Sequence, residues 1–308
     1  MSQAPHPKAL ALLSHLAVQG EGGDVWTAAA TPEALRTGRA RIYGGQVVAQ
    51  ALLAAEASTV GAGVSDGRPA ASFHCRFLRP GAVDQPIAFR VARDLDGRSF
   101  THRRVVAEQG GKPILTASVM FHAPEPGVAH QPEMPATISP EEALATVAAE
   151  RAGTGPLARI ASLIVSDSRA FDMIPVDLAQ WDLAEPRPAP VHVWLRFGAP
   201  IGDDPARHRA ALAYMSDVSL MQASDVRHGL NWWRGEVNTA SLDHMVWFHE
   251  PDVRADQWLL YTTMSDRAAH GRLLARGEIY DRAGRLVATT TQEALSRLSE
   301  DAAARVLG

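Results

Sequence analysis

The sequence predicts an α+β protein built from two repeated units, each a long helix followed by an antiparallel meander that wraps it. Three observations point there. First, the second half of the 308 residues repeats the plan of the first. Ala71-Ser72-Phe73-His74, Phe77-Leu78-Arg79-Pro80 and Gly110 to Ser118 return as Ala240-Ser241-Leu242-Asp243-His244, Phe248-His249-Glu250-Pro251 and Ala283 to Thr291. The offset drifts only from 169 (Ser72 to Ser241) through 171 (Pro80 to Pro251) to 173 (Gly111 to Gly284), as small loop insertions after a duplication and fusion would leave it. Second, in each half an apolar helical run precedes several runs of β-formers separated by turn residues. Third, five prolines at 124, 126, 132, 135 and 140 mark an extended connection between the halves.

Taken in order, Ala9 to Leu13 is apolar but is interrupted by Ser14 and His15, and only Lys8 precedes it as a basic residue. It reads as an amphipathic helix rather than a secretion signal. Gly44-Gly45 opens a run from Gln46 to Ala55 whose Ala and Leu content and lack of breakers predict a buried helix. Strands follow at Ser72–Leu78, Ile87–Asp94, Ser99–Gln109 and Ile114–His122, with Asp96-Gly97 and Gly110-Gly111 as hairpin turns. Pro140-Glu141-Glu142 starts a helix at the end of the Pro-rich stretch. In the second unit Phe171–Val176 and Val191–Phe197 read as strands and Arg207–Met221 as a helix. Strands then run over Ala240–Phe248, Trp258–Met264, Arg272–Tyr280 and Leu286–Glu293, with Arg282-Ala283-Gly284 as a turn. The expected organisation is an N-terminal unit at 1–122, a linker with a helix at 123–168, and a C-terminal unit at 169–308.

Composition narrows the function classes. A hydrophobic content of 46% over this length fills two ordinary cores sharing an interface. Thirty basic against 34 acidic residues give a net charge of −4 and no global basic field, so nucleic acid is not an expected partner. The lone Cys75 lies in an apolar strand-like run, which leaves no intrachain disulfide or thiolate cluster and predicts a buried, inert thiol. No stretch approaches the apolar length of a membrane span, and the cytoplasm is the expected compartment.

Three tempting motifs carry little weight. Gly63-Val64-Ser65-Asp66-Gly67 has the G-x-S-x-G spacing of a nucleophile elbow, but a helix precedes it and Arg68-Pro69 follows, so it reads as a loop. The twelve histidines, His244 and His249 included, show neither helical i, i+4 spacing nor accompanying cysteines, so no metal site is expected. Asp243-His244 beside Ser241 suggests a triad; in a regular strand, however, Ser241 and Asp243 share one face and His244 takes the other.

The runs Arg41-Ile42-Tyr43-Gly44-Gly45-Gln46, Ser72-Phe73-His74, Phe77-Leu78-Arg79-Pro80-Gly81, Ser241-Leu242-Asp243-His244, Val246-Trp247-Phe248-His249, Trp258-Leu259-Leu260-Tyr261 and Gln292-Glu293 resemble the type II, TesB-like acyl-CoA thioesterases, which are double hotdog proteins. The resemblance covers both units in order, from about Arg41 to about Arg297. It implies an acyl-CoA substrate, no cofactor, and a catalytic set in the second unit only: Asp217, Ser241 and Gln292. Many members carry Thr where this chain has Ser241, a change that keeps the hydroxyl. Leu273 stands where a small residue is common, which bears on the acyl pocket.

The chemistry of these residue types suits that implication. Thioester hydrolysis needs an oriented water, a base, and donors for the developing oxyanion. A carboxylate can take the proton of a water that a hydroxyl and a carboxamide hold. The thiolate leaving group, with a thiol pKa of roughly 8.5, departs without a strong acid. Gly44 and Gly45, at a helix start, are candidate backbone donors to the oxyanion, and they equally predict tight packing. Taken singly, Asp217 reads as a capping or exposed acid and Ser241 and Gln292 as ordinary strand polars. The apolar setting of Ala211 to Val218 and the joint pattern tip the balance. The alternatives are a non-catalytic acyl-CoA-binding protein and an enoyl-CoA hydratase, whose Asp and His signature this chain lacks. The first unit lacks the carboxylate and the carboxamide, so one active site per chain is expected, and sheets of this kind predict a homo-oligomer.

Overall fold

The computed structural model describes residues 5–32, 35, 41–60, 68–164, 170–181, 186–187, 190–230 and 234–307. Gly63 to Gly67 lies outside them. The chain opens with α1 (Pro7–His15), capped by His6, whose Nδ1 accepts from the Lys8 N–H at 3.2 Å. A hairpin of β1 (Gln19–Gly22) and β2 (Val25–Ala28) follows, turning through Gly22, Gly23 and Asp24 at φ 86°, 59° and 60°. The first unit then runs through α2 (Gly44–Ala57), β3 (Ala70–Phe77), β4 (Ile87–Asp96), β5 (Phe100–Gln109) and β6 (Lys112–His122). Residues 123–139 carry no helix or strand and pass over the second unit, pinned where Gln131 bonds the Gly284 carbonyl at 2.7 Å and where Trp194 Nε1 donates to the Ile138 carbonyl at 3.0 Å. Helices α3 (Pro140–Ala152) and α4 (Pro156–Ile164) follow, the first started by a capping box between Ser139 and Glu142. The second unit comprises β7 (Phe171–Pro175), β8 (Val191–Phe197), α5 (Pro205–Ser216), α6 (Gln222–His228), β9 (Val237–Ser241), β10 (Asp243–Phe248), β11 (Leu259–Ala269), β12 (Arg272–Asp281) and β13 (Leu286–Leu298). A closing helix, α7 (Glu300–Leu307), ends the described chain.

Among the described residues thirteen strands form one antiparallel sheet in the order β1-β2-β4-β5-β6-β3-β10-β13-β12-β11-β8-β7, with β9 also beside β13. The two units meet at β3 and β10, the very strands that carry the repeated motif, with Ser72 opposite Trp247, His74 opposite Met245 and Arg76 opposite Asp243. A like-to-like seam of this kind places the copies about a local twofold. On the sheet, α2 and α5 pack against each other and run antiparallel. Gly45 at the start of α2 abuts Tyr214 near the end of α5, and Glu56 near the end of α2 pairs with Arg209 near the start of α5. Nearly every side chain of α2 is buried, which explains why its sequence is apolar all round rather than striped.

Three expectations need correction. The helix expected over Arg207–Met221 is two helices, α5 and α6, parted at residues 217–221. The polar run Ser216-Asp217-Val218-Ser219 breaks it: Ser216 Oγ bonds back to the Ala213 carbonyl at 3.1 Å, competing with the helical backbone. The strand expected over Ala240–Phe248 is broken at Leu242 by a bulge, since Ser241 faces Ala294 whereas Met245 faces Thr291, four residues against three. Strand β3 has the same irregularity between Ala70, opposite Phe121, and Ser72, opposite Met120. Both copies therefore keep the bulge, and the residue matching Ser241 in the first unit is Ala70, not Ser72. Cys75, expected to be buried, is 2% exposed, and burial pushes its thiol well above the ordinary value.

Candidate active site

The break between α5 and α6 leaves Asp217 as the residue capping the C-terminus of α5, 5% exposed. Gln292 projects from β13 and is fully buried. Ser241 ends β9, and the bulge after it turns its side chain toward α5. The three meet in one cluster: Gln292 Nε2 donates to Asp217 Oδ1 at 2.6 Å and approaches Ser241 Oγ at 2.8 Å, while Ser241 Oγ donates to Asp217 Oδ1 at 3.4 Å. A carboxylate only accepts, which fixes the carboxamide with its nitrogen toward Asp217. Gln292 Oε1 is left buried without a protein partner.

The N-terminus of α2 closes the other side. The Gly45 N–H bonds the Asp217 carboxylate, and a Cβ built on Gly44 would sit 2.8 Å from Asp217 Oδ2 and 3.1 Å from the Phe77 ring. A Cβ on Gly45 would overlap the Tyr214 carbonyl and the Tyr43 ring. Both glycines are therefore required by close approach, and the Gly45 amide is already occupied by the carboxylate. Tyr43 adds to this contact, its OH donating to the Tyr214 carbonyl at 3.1 Å.

Burial dominates the electrostatics. It raises the Asp217 pKa from the usual 3.8 to about 6, against the lowering effect of hydrogen bonds from Gln292, Gly45 and Ser241. The result is a carboxylate that is ionised at neutral pH yet more basic than an exposed one.

Beneath Asp217 lies a polar layer that sequence reasoning missed. Tyr261 OH donates to the Ser216 carbonyl at 3.0 Å and contacts Thr290 Oγ1 at 2.8 Å, while His244 Nε2 lies 2.9 Å from Ser216 Oγ. His244 is fully buried, and desolvation pushes its pKa down to about 3, so it is neutral. The face assignment made for a regular strand is reversed by the bulge. Ser241 and His244 both turn to α5, and Asp243 turns away, accepting from Arg76 and from the Glu293 N–H, each at 2.7 Å. Even so, no triad forms, because each of the three has a different partner. A His opening the apolar strand run Met245-Val246-Trp247-Phe248 was the available signal for this layer.

Comparison with known proteins agrees with the fold. The family model for the acyl-CoA thioesterase N-terminal domain matches residues 31–122, and that for the acyl-CoA thioesterase C-terminal domain matches residues 140–296. The chain is 34% identical over 270 residues to human acyl-coenzyme A thioesterase 8, covering 84% of this chain and 81% of that one. It is similar to the crystal structure of acyl-CoA thioesterase II TesB2 from Mycobacterium marinum, with a TM-score of 0.73 and 31% identity over 94% of this chain and 98% of that one. A protein with hot dog fold from Alicyclobacillus acidocaldarius superposes at a TM-score of 0.72 with 19% identity, covering 94% of this chain and 98% of that one, a likeness of fold. The architecture is thus the double hotdog.

Proposed function

Since the chain belongs to the TesB-like type II acyl-CoA thioesterases, and so is a thioester hydrolase, we propose that Asp217, Ser241 and Gln292 carry its chemistry. The observation that supports this most is the Gln292 carboxamide, held between Asp217 Oδ1 and Ser241 Oγ with its own Oε1 unpartnered. A water entering this cluster finds acceptors for its two protons in Asp217 and Gln292 Oε1, and the Ser241 hydroxyl exchanges its long 3.4 Å bond to Asp217 for one to the water's lone pair. Asp217 takes one proton as the water oxygen adds to the thioester carbonyl carbon. The tetrahedral oxyanion is met by the amide of Gly44, the first of α2, at the positive end of that helix. Collapse breaks the carbon–sulfur bond, the thiolate of coenzyme A leaves, and the proton held on Asp217 returns to it. A free carboxylic acid and coenzyme A result.

The division into a unit at 1–122, a linker at 123–168 and a catalytic unit at 169–308 goes with this reading, as do a cytoplasmic location and a homo-oligomer. The direct test is thiol release from an acyl-CoA panel of increasing chain length by the wild type and by Gln292→Ala. Turnover reduced by about 10²-fold or more in the variant supports the assignment. Equal turnover removes Gln292 from it, and no thiol release from any substrate leaves only acyl-CoA binding.

A further inference from the structure

The antiparallel pair of α2 and α5 has two ends, and the proposed catalytic cluster occupies one. At the opposite end the local twofold brings together the last turn of α2 and the first of α5. The residues there match the cluster position by position and replace its chemistry. Ser58 caps α2 as Asp217 caps α5. Val119 lies opposite Arg103 on the sheet as Gln292 lies opposite Ala275. Ala70 precedes the bulge as Ser241 does. The fully buried Arg103 fills the space, donating from Nε to Ser58 Oγ at 3.0 Å and pairing with Asp96 at 2.6 Å. Glu56, the nearby carboxylate, accepts from Arg209 at 2.8 and 3.0 Å. Among the described residues here, none of Ser58, Ala70, Val119 and Arg103 offers a carboxylate to a water, and Glu56 is held by Arg209.

A separate hollow lies beside these residues, and none of Ser58, Ala70, Arg103 and Val119 lines it. A cavity of about 580 Å³ opens at this end, and none of Asp217, Ser241 and Gln292 lines it. That volume falls within the range of small-molecule sites, roughly 300–1,000 Å³. One wall is apolar, formed by Leu13, Leu16, Val18 and Leu53, and the rim carries two carboxylates, Glu56 and Asp204, each paired with an arginine. Three arginines line it. Two are committed: Arg209 to Glu56, and Arg68 to the Gly97 and Arg98 carbonyls and to Thr101. Arg207 is half-exposed, and its salt bridge is a 3.5 Å contact with Asp204 in its own helix turn.

We infer that this cavity is a second, non-hydrolytic site that holds a free long-chain carboxylate, with the chain among Leu13, Leu16, Val18 and Leu53 and the headgroup on Arg207. The inference rests on the reading above in one respect: such a carboxylate is the class of product the reaction releases. The apolar wall suits an alkyl chain. The single weakly paired cation suits a monoanion. One end of the helix pair would then make the acid and the other would retain it, so that product occupancy does not compete with substrate.

The test uses the full chain and a fluorescent polyene fatty acid, titrated with and without a saturating non-hydrolysable acyl-CoA analogue. The expected result is one equivalent of fatty acid that the analogue does not displace. Arg207→Glu should weaken that equivalent by about tenfold or more, the usual scale for a charge-assisted hydrogen bond. Leu53→Trp, which projects a ring into the apolar wall and narrows the cavity, should weaken it further, and both variants should keep wild-type thiol release from acyl-CoA. Displacement of all bound probe by the analogue overturns the inference, as does undiminished binding in Arg207→Glu. Loss of thiol release in the wild type with the second equivalent intact would instead sink the catalytic reading and leave a lipid-binding cavity.

Discussion

Replacing Asp217 by asparagine should slow the enzyme and, at neutral pH, lift a burden on its stability. Both follow from one number. Burial raises the carboxyl from 3.8 to about 6, roughly two pKa units, and each unit is worth about 1.4 kcal/mol, so the ionised form costs the native state about 3 kcal/mol relative to the unfolded chain. Because the folded pKa lies above the unfolded one, the native state binds the extra proton between about pH 4 and pH 6. Stability from this group is fully present below pH 3.8 and is lost as pH rises through about 6. Asparagine carries no charge and should remove that slope. It also sets an amide donor where the Gly45 N–H donates, a pH-independent cost of about 1–3 kcal/mol. The diagnostic quantity is therefore the pH dependence of the difference between variant and wild type. Urea unfolding from pH 4 to pH 7.5 should show the variant gaining about 2–3 kcal/mol on the wild type across that range. Asp225, whose pKa burial raises to about 7, titrates in both proteins and cancels. Turnover should fall by about 10²–10⁴-fold with little change in KM, and wild-type kcat/KM should climb about tenfold per pH unit below 6 and level off above it. Stability curves that stay parallel, or an asparagine variant with near wild-type turnover, would refute the reasoning.

Ser241→Thr should keep activity within a few-fold and Ser241→Ala should not, because threonine preserves the hydroxyl on Asp217; equal thiol release by the alanine variant would make Ser241 a packing residue. Gly45→Ala should destabilise by about 1–3 kcal/mol in denaturant unfolding, since a methyl there meets the Tyr214 carbonyl, and a neutral result would mean that the helices separate freely. His244→Leu should lower kcat with KM nearly unchanged by loosening Ser216 next to Asp217, with His244→Asn recovering part of the loss; kcat unchanged in the leucine variant counts against a positioning role. The double variant Asp217→Asn, Gln292→Ala should leave only background hydrolysis, and any residual site in the first unit would show as surviving turnover.

Much of this was legible in the sequence because the signals were local. The run Gln46 to Ala55 carries no breaker, the hairpins after β4 and β5 are marked by Asp96-Gly97 and Gly110-Gly111, and Val191–Phe197 is a run of β-formers with its observed bounds. What sequence did not supply was set by single residues out of register. One extra residue at Leu242 reverses which side chains face the helix, and periodicity alone carries no record of it. The split of α5 from α6 depends on Ser216 bonding backwards, a choice that tertiary contact with His244 and Tyr261 decides. The candidate triplet came from a family pattern, whereas the buried layer under it had no pattern to announce it.

The bulge in β3 and its counterpart at Leu242 give both halves of the chain the backbone that the proposed water site uses. Ala70, Val119 and Ser58 already stand where Ser241, Gln292 and Asp217 stand, in matching register. A second reaction centre could thus be transplanted with side chains alone, by Ala70→Ser, Val119→Gln and Ser58→Asp, without redrawing the backbone. The obstacle is Arg103, whose guanidinium occupies the vacated volume and would neutralise the incoming carboxylate. Arg103 is thus the group those three substitutions would have to displace, and Arg103→Ala is the fourth change an engineer would add to them.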